Sequence, residues 1–276
     1  MSISSAPLAH SAEGISDGKF TEIWTSLRVD AEIVAAAEPV LAPFISGCVL
    51  AHDSFGAALS CVLSGELGAQ HLEKPALWST FREAMAADEH IERAALADLQ
   101  AHVDRDPAAG GYLTPFLYFK GYHALQAYRI AHWLWRQDRK DLARYLQGSC
   151  SRQYDVDIHP AASIGRGIMI DHGSGMVIGE TAVVEDDVSM LHGVTLGGTG
   201  KECGDRHPKI RRGVLLSAGA RILGNIEIGE GAKVGASSLV LKSVEPHTTV
   251  AGVPAKVVGR PQGEAPALNM QQELDE

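Results

Sequence analysis

An aliphatic residue returns at every sixth position over most of the second half of the chain. This period differs from the 3.6-residue period of a helix and from the two-residue alternation of a single strand. It is the signature of hexapeptide repeats, which predict a left-handed parallel β-helix with three repeats per triangular coil. Several coils must stack, because one coil cannot bury its own core. The predicted inward positions are Ile158, Ile164, Ile170, Ile178, Val184, Met190, Leu196, Ile210, Leu216, Ile222, Ile228, Val234 and Val240.

Before residue 155 the apolar positions follow helical spacing instead. They predict an amphipathic segment near Ile23 and Leu27, one or two helices within 39–67, a long helix over 77–103, an aromatic-rich helix over 116–137 and a short helix over 140–153. The fold class is therefore α+β, an all-α N-terminal domain followed by the β-helix. We divide the chain into a disordered N-terminus (1–17), a helical domain (18–154), the β-helix domain (155–260) and a flexible acidic tail (261–276).

Composition narrows the classes of function. The formal net charge of −10 argues against a general nucleic-acid binder, although a local basic patch can still meet phosphate groups. The cysteines Cys48, Cys61, Cys150 and Cys203 are scattered, which makes zinc-finger and thioredoxin interpretations poor and fits a reducing cytosol. We find no signal peptide and no membrane span, so we expect a cytoplasmic protein without membrane or nucleic-acid partners.

The six-residue period fails twice. It slips by two residues between Ile170 and Ile178, and it breaks for longer between Leu196 and Ile210. Insertions in a solenoid form protruding loops, and loops on a rigid scaffold carry function. We therefore expect the chemistry at these two breaks.

Five motifs lie around the two breaks and farther along the β-helix. They are Asp157-Ile158-His159-Pro160, Gly167-Ile168-Met169-Ile170-Asp171-His172, Val194-Thr195-Leu196-Gly197-Gly198-Thr199-Gly200-Lys201, Gly204-Asp205-Arg206-His207-Pro208-Lys209 and the less specific Gly252-Val253-Pro254-Ala255. Together they resemble the motifs of serine O-acetyltransferases, a family of hexapeptide-repeat acyltransferases, and the resemblance covers about residues 20–260. It implies that the chain transfers the acetyl group of its cosubstrate acetyl-CoA to L-serine, the first step of cysteine biosynthesis, with no permanently bound cofactor and no metal.

The candidate catalytic residues are His172 and Asp157. Acetyl transfer to a hydroxyl needs a base of near-neutral pKa, because the hydroxyl is a weak nucleophile. Asp157 precedes His172 by 15 residues, and one coil takes about 18, so the two can meet at one corner of adjacent coils. A carboxylate there fixes the imidazole tautomer and stabilises the imidazolium. The resemblance assigns the same roles, whereas a lone loop histidine is more often simply solvated.

Arg206 and His207 are candidates for binding the carboxylate of the amino acid, since a guanidinium matches a carboxylate with two hydrogen bonds. Asp171 and Asp106 are candidates for the ammonium group. The resemblance places Asp106 in the substrate pocket; the alternative is an aspartate that merely ends a helix.

The candidate residues for acetyl-CoA lie in the β-helix. An amide of the glycine-rich loop, Gly198 by analogy, can stabilise the thioester oxyanion, with Thr199 beside it. By resemblance the cosubstrate lies between neighbouring β-helices, where Ala218 and Ala236 let the pantetheine arm pass. The C-terminal coils carry local positive charge that can meet the nucleotide phosphates, from Lys233, Lys242, Lys256 and Arg260. A tight turn and an ordinary surface lysine are the alternatives.

The resemblance also implies partners. In hexapeptide acyltransferases the active sites lie between chains, which implies a homotrimer. In the serine acetyltransferase family the helical domains join two trimers, which implies a hexamer. Residues 18–154 are then an oligomerisation domain. L-Cysteine is implied as a feedback inhibitor in the serine pocket. Cysteine synthase is a further partner of the family, but this chain ends in Glu276 where many members carry an isoleucine, so that complex is doubtful.

Three other functions stay open from sequence. The chain could be a hydratase of carbon dioxide, with zinc held by histidines across a subunit interface. It could be a different hexapeptide acyltransferase that acts on a sugar or another amine. It could also be a structural scaffold without catalytic activity. Serine-dependent release of thiol from acetyl-CoA separates them. The histidines that suggest the metal are His159, His172, His192, His207 and His247.

Overall fold

The computed structural model describes residues 16–68, 72–200 and 203–273. A helical region is followed by a parallel β-helix of about five coils, so the predicted fold class is confirmed. Of the N-terminal segment predicted to be disordered, only Ser16 and Asp17 lie within the described residues; Ser16 caps the first helix by accepting a hydrogen bond from the Lys19 amide. Within the described ranges, no helix is long and apolar enough to cross a membrane.

The helices are linked by short turns. The second helix continues for one turn as a π-helix over Ser46–Leu50. Their bounds are α1 Asp17–Ala37, α2 Ala42–Ile45, α3 Phe55–Leu67, α4 Lys74–Ala87, α5 Glu89–Arg105, α6 Leu113–Tyr118, α7 Lys120–Arg136, α8 Lys140–Tyr154 and α9 Pro266–Asn269.

Two of the predicted helices are each divided in two by a single extended residue. The predicted helix over 77–103 is wrong, because Asp88 is extended (φ −141°, ψ 99°) and its side chain caps α5 by accepting from the His90 amide at 3.1 Å. The predicted helix over 116–137 is also wrong, since Phe119 (φ −86°, ψ 102°) separates α6 from α7. The apolar period runs on across both breaks, so it cannot reveal them.

The β-helix has three sheets, parallel throughout except for the antiparallel hairpin of its last two strands. All thirteen predicted inward positions are buried, with at most 8% exposure, so the predicted core is confirmed. The first sheet contains β1 Val156–Ile158, β4 Met176–Ile178, β7 Thr195–Gly197, β10 Arg221–Leu223 and β13 Leu239–Val240; the second contains β2 Ser163–Ile164, β5 Val183–Val184, β8 Lys209–Ile210 and β11 Glu227–Ile228; the third contains β3 Met169–Ile170, β6 Ser189–Met190, β9 Leu215–Leu216, β12 Lys233–Val234, β14 Thr249–Gly252 and β15 Ala255–Gly259.

The strand register measures the two breaks in the period. Leu196 follows its partner Ile178 by the regular 18 residues. Ile178 follows Ile158 by 20, and Ile222 follows Leu196 by 26. The first break therefore adds two residues to a coil and the second adds eight, and both protrude at corners of the triangle.

A buried ion pair fastens the helices to the first coil. The Asp98 carboxylate on α5 is fully buried and accepts from the Arg129 guanidinium of α7 at 2.6 Å. It also accepts from the Ile168 amide at 2.9 Å, while Arg129 donates to the Gly165 carbonyl at 2.7 Å. Helices and coil thus share one set of buried polar contacts.

Part of the segment predicted as a flexible tail packs on the β-helix. Ala267 on α9 is fully buried, and its amide donates to the Gly213 carbonyl at 3.2 Å. Its carbonyl accepts from the Ser189 hydroxyl at 2.8 Å.

Candidate functional site

His172 lies on a loop, residues 171–175, at the corner where the third sheet passes to the first; we call this the His172 corner. Its side chain is 73% exposed, and its Nε2 lies 3.7 Å from Asp171 Oδ1. The ring of His192 stands edge-on at 5.9 Å between centroids. An exposed imidazole beside a carboxylate is accessible to a ligand and available as a base.

Sequence reasoning considered His192 only as a metal ligand. A signal for its position was present, because Ile170 pairs with Met190 and the same 20-residue step leads from His172 to His192. The first break therefore stacks the two histidines on adjacent coils.

Asp157 lies at the middle of β1, and a hydrogen bond joins its carboxylate to α8. Its Oδ1 accepts from Gln147 Nε2 at 2.7 Å. The His172 loop passes close by, since the Gly175 amide donates to the Asp155 carbonyl at 2.8 Å. The structure thus places the loop of His172 against Asp155, two residues before Asp157, while the Asp157 carboxylate itself meets Gln147, a partner that the sequence analysis missed.

His207 lies at the other end of the first sheet, on the loop of the second break; we call this the His207 corner. Its ring rests on Gly179, where an added Cβ would stand 2.1 Å from Cδ2 and Nε2. Only glycine leaves room for the imidazole. Neither Gly179 nor Thr181 is evident from sequence as a site residue.

Thr181 fixes the tautomer of His207. Its hydroxyl oxygen accepts from the backbone amides of Arg206 and His207 at 3.0 and 3.1 Å, so its proton is free to point to His207 Nδ1 at 2.9 Å. The Thr181 amide also donates to Nδ1 at 3.1 Å. Burial, reinforced by the charges of Arg206 and Lys209, lowers the pKa of His207. The ring is therefore neutral at pH 7, with its proton on Nε2.

The Arg206 guanidinium binds a carboxylate of its own chain. Its Nη2 donates to Glu180 Oε2 at 2.7 Å, and its Nη1 donates to the Gly204 carbonyl at 3.0 Å. The hydrogen bond from Arg206 lowers the pKa of Glu180. A carboxylate ligand must share Arg206 with Glu180 or displace it.

The two corners are separate on one chain. The His172 loop rests on Asp155 at one end of β1, while Gly179 lies in register beyond Ile178, alongside His159 at the other end. At about 3.3 Å per residue, the ends lie roughly 13 Å apart. A single β-helix therefore does not bring His172 together with Arg206 and His207.

Asp106 ends α5, and its Oδ1 accepts from the Ala108 amide at 2.8 Å. The preceding Arg105 crosses to the β-helix, donating to the Ser189 hydroxyl at 3.1 Å. The structure thus places Asp106 where the helices meet the third sheet, with its carboxylate bonded to its own turn, while Asp171 lies beside His172.

The candidate acetyl-CoA residues fall into three places. Gly198 and the exposed Thr199 lie at the His207 corner, where a Cβ on Gly198 would stand 3.5 Å from the Arg206 carbonyl oxygen. Ala218 and Ala236 stack on consecutive coils at the His172 corner, above His192.

Lys233 lies apart from the other acetyl-CoA candidates and is 4% exposed. Its Nζ donates to the Glu273 carbonyl of the C-terminal segment. A segment of the chain thus covers the predicted phosphate contact, so Lys233 can meet a phosphate only if that segment moves.

No cluster of three or more histidine, cysteine, aspartate or glutamate side chains suited to a metal occurs in the part of the chain that is described. His159 serves packing instead: its ring stands edge-on to Trp135 at 5.1 Å, and its Nδ1 accepts from the Ala161 amide at 3.0 Å.

Known proteins match this chain over most of its length. Residues 23–127 match the family described as "Serine acetyltransferase, N-terminal". The serine acetyltransferase of Escherichia coli (strain K12) is 53% identical over 253 residues, which span 92% of this chain and 93% of that protein. The crystal structure of serine acetyltransferase from Vibrio cholerae is 58% identical and superposes with a TM-score of 0.91, over 92% of this chain and 98% of that one.

Similar structures include complexes with small molecules. A serine acetyltransferase complex with cysteine is 50% identical, with a TM-score of 0.91 over 92% of this chain and 99% of that one. The enzyme of Brucella abortus with coenzyme A is 49% identical, with a TM-score of 0.86 over 87% and 96%. That of Neisseria gonorrhoeae with serine is 50% identical, with a TM-score of 0.83 over 85% and 96%. With this identity, coverage and fold, the chain belongs to the serine acetyltransferase family.

Proposed function

We propose that the chain transfers the acetyl group of acetyl-CoA to the hydroxyl of L-serine, giving O-acetyl-L-serine and coenzyme A. The observation that carries the proposal is the exposed imidazole of His172 on a rigid corner, in a chain 53% identical to a serine acetyltransferase over 92% of its length. The relatives solved with serine and with coenzyme A support both substrates.

In the proposed mechanism the acetyl group passes directly between the substrates. His172 takes the proton of the serine hydroxyl as its oxygen attacks the thioester carbonyl, and then returns a proton to the leaving thiolate. The amide of Gly198 stabilises the oxyanion. Asp157 exchanges Gln147 for His172, orients the imidazole and stabilises the imidazolium that forms when His172 takes the proton.

Neutral His207 and cationic Arg206 have complementary roles toward the serine carboxylate. Arg206 supplies charge, whereas His207 supplies a fixed Nε2–H donor. Asp171 and Asp106 are acidic and suit the ammonium group. The acceptor is tested by measuring thiol release from acetyl-CoA with L-serine, with an amino sugar and with a simple amine. Serine-dependent release supports the proposal, and release with the sugar alone moves the chain to another acyltransferase class.

We further propose that neighbouring copies of the chain complete each site, in a trimer. The separation of the two corners supports this, because a ligand can bridge His172 of one β-helix and His207 of the next without spanning the first sheet. Gly198 and Thr199 then face Ala218 and Ala236 across the groove. Joining of two such trimers through the helical domains, residues 18–154, into a hexamer belongs to the same proposal.

Subunit mixing tests the shared site. At a serine concentration well below KM, His172→Ala and His207→Ala chains are each expected to have little activity alone, the first through kcat and the second through KM for serine. When they are refolded together in equal amounts, roughly a quarter of the interfaces in a cyclic trimer receive both intact residues, so roughly a quarter of the activity returns. A site contained in one chain gives no recovery.

L-Cysteine is proposed as an inhibitor in the serine pocket, because it offers the same carboxylate and ammonium groups and a relative binds it. Inhibition that more serine overcomes is the expected result. Binding to cysteine synthase is also a proposal. The C-terminal residues on which it depends, 274–276, lie outside the described residues, and a sizing experiment with that enzyme tests it. The domain division at residues 154 and 155 and a cytoplasmic location, for which the four free cysteines are suited, are also proposals.

A further inference from the structure

The loop that carries His172 holds its histidine in a backbone conformation that is uncommon for a residue other than glycine. His172, Gly173 and Gly175 all have positive φ, of 58°, 79° and 72°. A non-glycine residue in this region is uncommon and persists where the surroundings hold it. Contacts around the loop therefore decide where the imidazole stands.

The first turn of α7 touches this loop through backbone. A Cβ on Gly121 would stand 2.2 Å from the Ile170 carbonyl oxygen and 2.9 Å from Ile170 Cγ2. A Cβ on Gly173 would stand 3.2 Å from the Gly121 Cα. The helix and the loop can approach this closely only because both positions are glycine.

Lys120, the first residue of α7, adds a polar tie. Its Nζ donates to the Ser174 hydroxyl at 2.6 Å, two residues after His172. A cation in the first turn of a helix lies at the positive end of the helix dipole, which is unfavourable. Helix formation thus gives no reason for a lysine here, whereas the bond to Ser174 does.

The turn that makes these contacts is itself fixed. His123, one turn into α7, is buried, and its Nε2 lies 2.8 Å from the Phe116 carbonyl oxygen. Its Nδ1 lies 2.9 Å from Glu66 Oε2 on α3. Lys120 and Gly121 therefore present a rigid surface to the loop.

We propose that Lys120 and Gly121 are positioning residues that hold the 171–175 loop so that the His172 imidazole faces the substrates. Their effect on turnover rests on the proposed function, whereas their effect on the loop does not. Misplacement of a catalytic group by about 1 Å can cost on the order of 10²-fold in rate. Loss of the polar tie alone should cost less, about tenfold in kcat, with little change in KM.

Amide hydrogen exchange tests the effect on the loop without any assay of activity. In Lys120→Met we expect amides 171–175 to exchange about tenfold faster, with the rest of the β-helix unchanged. Lys140→Met is the matched control, because Lys140 also begins a helix but meets Asp138 and the ring of Trp135. Equal protection of the loop in Lys120→Met and Lys140→Met overturns the proposal, whatever reaction the protein catalyses.

A double-mutant cycle tests the effect on turnover. Lys120→Met and Ser174→Ala should each lower kcat about tenfold, the double variant should be no worse than either, and Lys120→Arg should recover most of the loss. If the two losses multiply, or if KM for acetyl-CoA rises with them, Lys120 does not act through Ser174. Serine-dependent release by the wild type and its loss in His172→Ala, measured in the same series, show separately whether the proposed function holds.

A second variant pair tests the backbone contact. Gly121→Ala should lower kcat by more than Lys120→Met, because the added methyl displaces the Ile170 carbonyl. Gly148→Ala, in the interior of α8, meets only the Arg152 Nη1 atom, at 3.3 Å and at the far end of a long side chain, and should keep wild-type kcat. Wild-type kcat in Gly121→Ala contradicts the positioning role of the contact.

Discussion

Replacing Gly179 by alanine should disable His207 while leaving the histidine itself in the chain. The added Cβ stands 2.1 Å from Cδ2 and Nε2 of the His207 ring, whereas ordinary contact begins near 3.4 Å, so the ring must withdraw by about 1.3 Å. That movement strains its bonds from Thr181, which measure 3.1 and 2.9 Å. A hydrogen bond to a charged group contributes about 1.5–3 kcal/mol. Loss of the Nε2–H bond to the serine carboxylate should therefore raise KM for serine about 10- to 150-fold.

The assay is steady-state thiol release at varied serine and at varied acetyl-CoA. KM for acetyl-CoA should stay within about twofold, because the strained contact is local to the proposed position of the serine carboxylate. Gly259→Ala is the control, since its Cβ meets nothing within 4 Å. A folded Gly179→Ala protein with an unchanged KM for serine refutes the role given to His207. An equal rise in both KM values indicates a wider distortion and refutes the local argument.

Two further predictions concern stability. Asp98→Ala leaves the Arg129 guanidinium buried without its carboxylate and should lower the free energy of unfolding by about 3–5 kcal/mol in urea titrations, whereas Asp141→Ala, which breaks an exposed pair, should leave the midpoint unchanged. Burial lowers the pKa of His102 from 6.5 to about 3, so the unfolded chain takes up a proton below pH 6.5 that the folded chain refuses. The contribution of His102 to the free energy of unfolding should thus be fully present above pH 6.5 and fall by about 2 kcal/mol at pH 5. His102→Phe should remove this part of the pH dependence. If wild type and His102→Phe lose the same free energy of unfolding between pH 7 and pH 5, the second prediction is contradicted.

The repeat pattern predicted the core of the β-helix because the rule is local. Each inward position is fixed by spacing along one coil, so Ile158 and Val240 could be assigned without knowledge of what surrounds them. The stacking of His172 on His192 is also local in this sense, once the two extra residues of the first break are counted. The helix boundaries were predicted less well than the strands, because one extended residue, such as Asp88, ends a helix without disturbing the apolar period.

The partners of the site residues could not be predicted, because they depend on how loops and helices dock. Arg206 meets Glu180 across the second break, whose path the period does not describe. Asp157 meets Gln147 only because α8 lies against β1. Gly121 resembles any helical glycine in the sequence, and its meaning comes from the Ile170 carbonyl beside it. Lys233 reads as a surface cation until the C-terminal segment is seen to cover it.

The central claim is that His172 is the base for acetyl transfer to serine, and one comparison tests it most directly. Turnover of acetyl-CoA with L-serine is measured for the wild type and for His172→Ala, together with acetyl-CoA affinity by direct binding. General-base catalysis contributes typically 10²–10⁴-fold, so kcat should fall by that factor while the affinity stays within about twofold. Serine-dependent turnover near the wild-type rate in a folded His172→Ala protein contradicts the account.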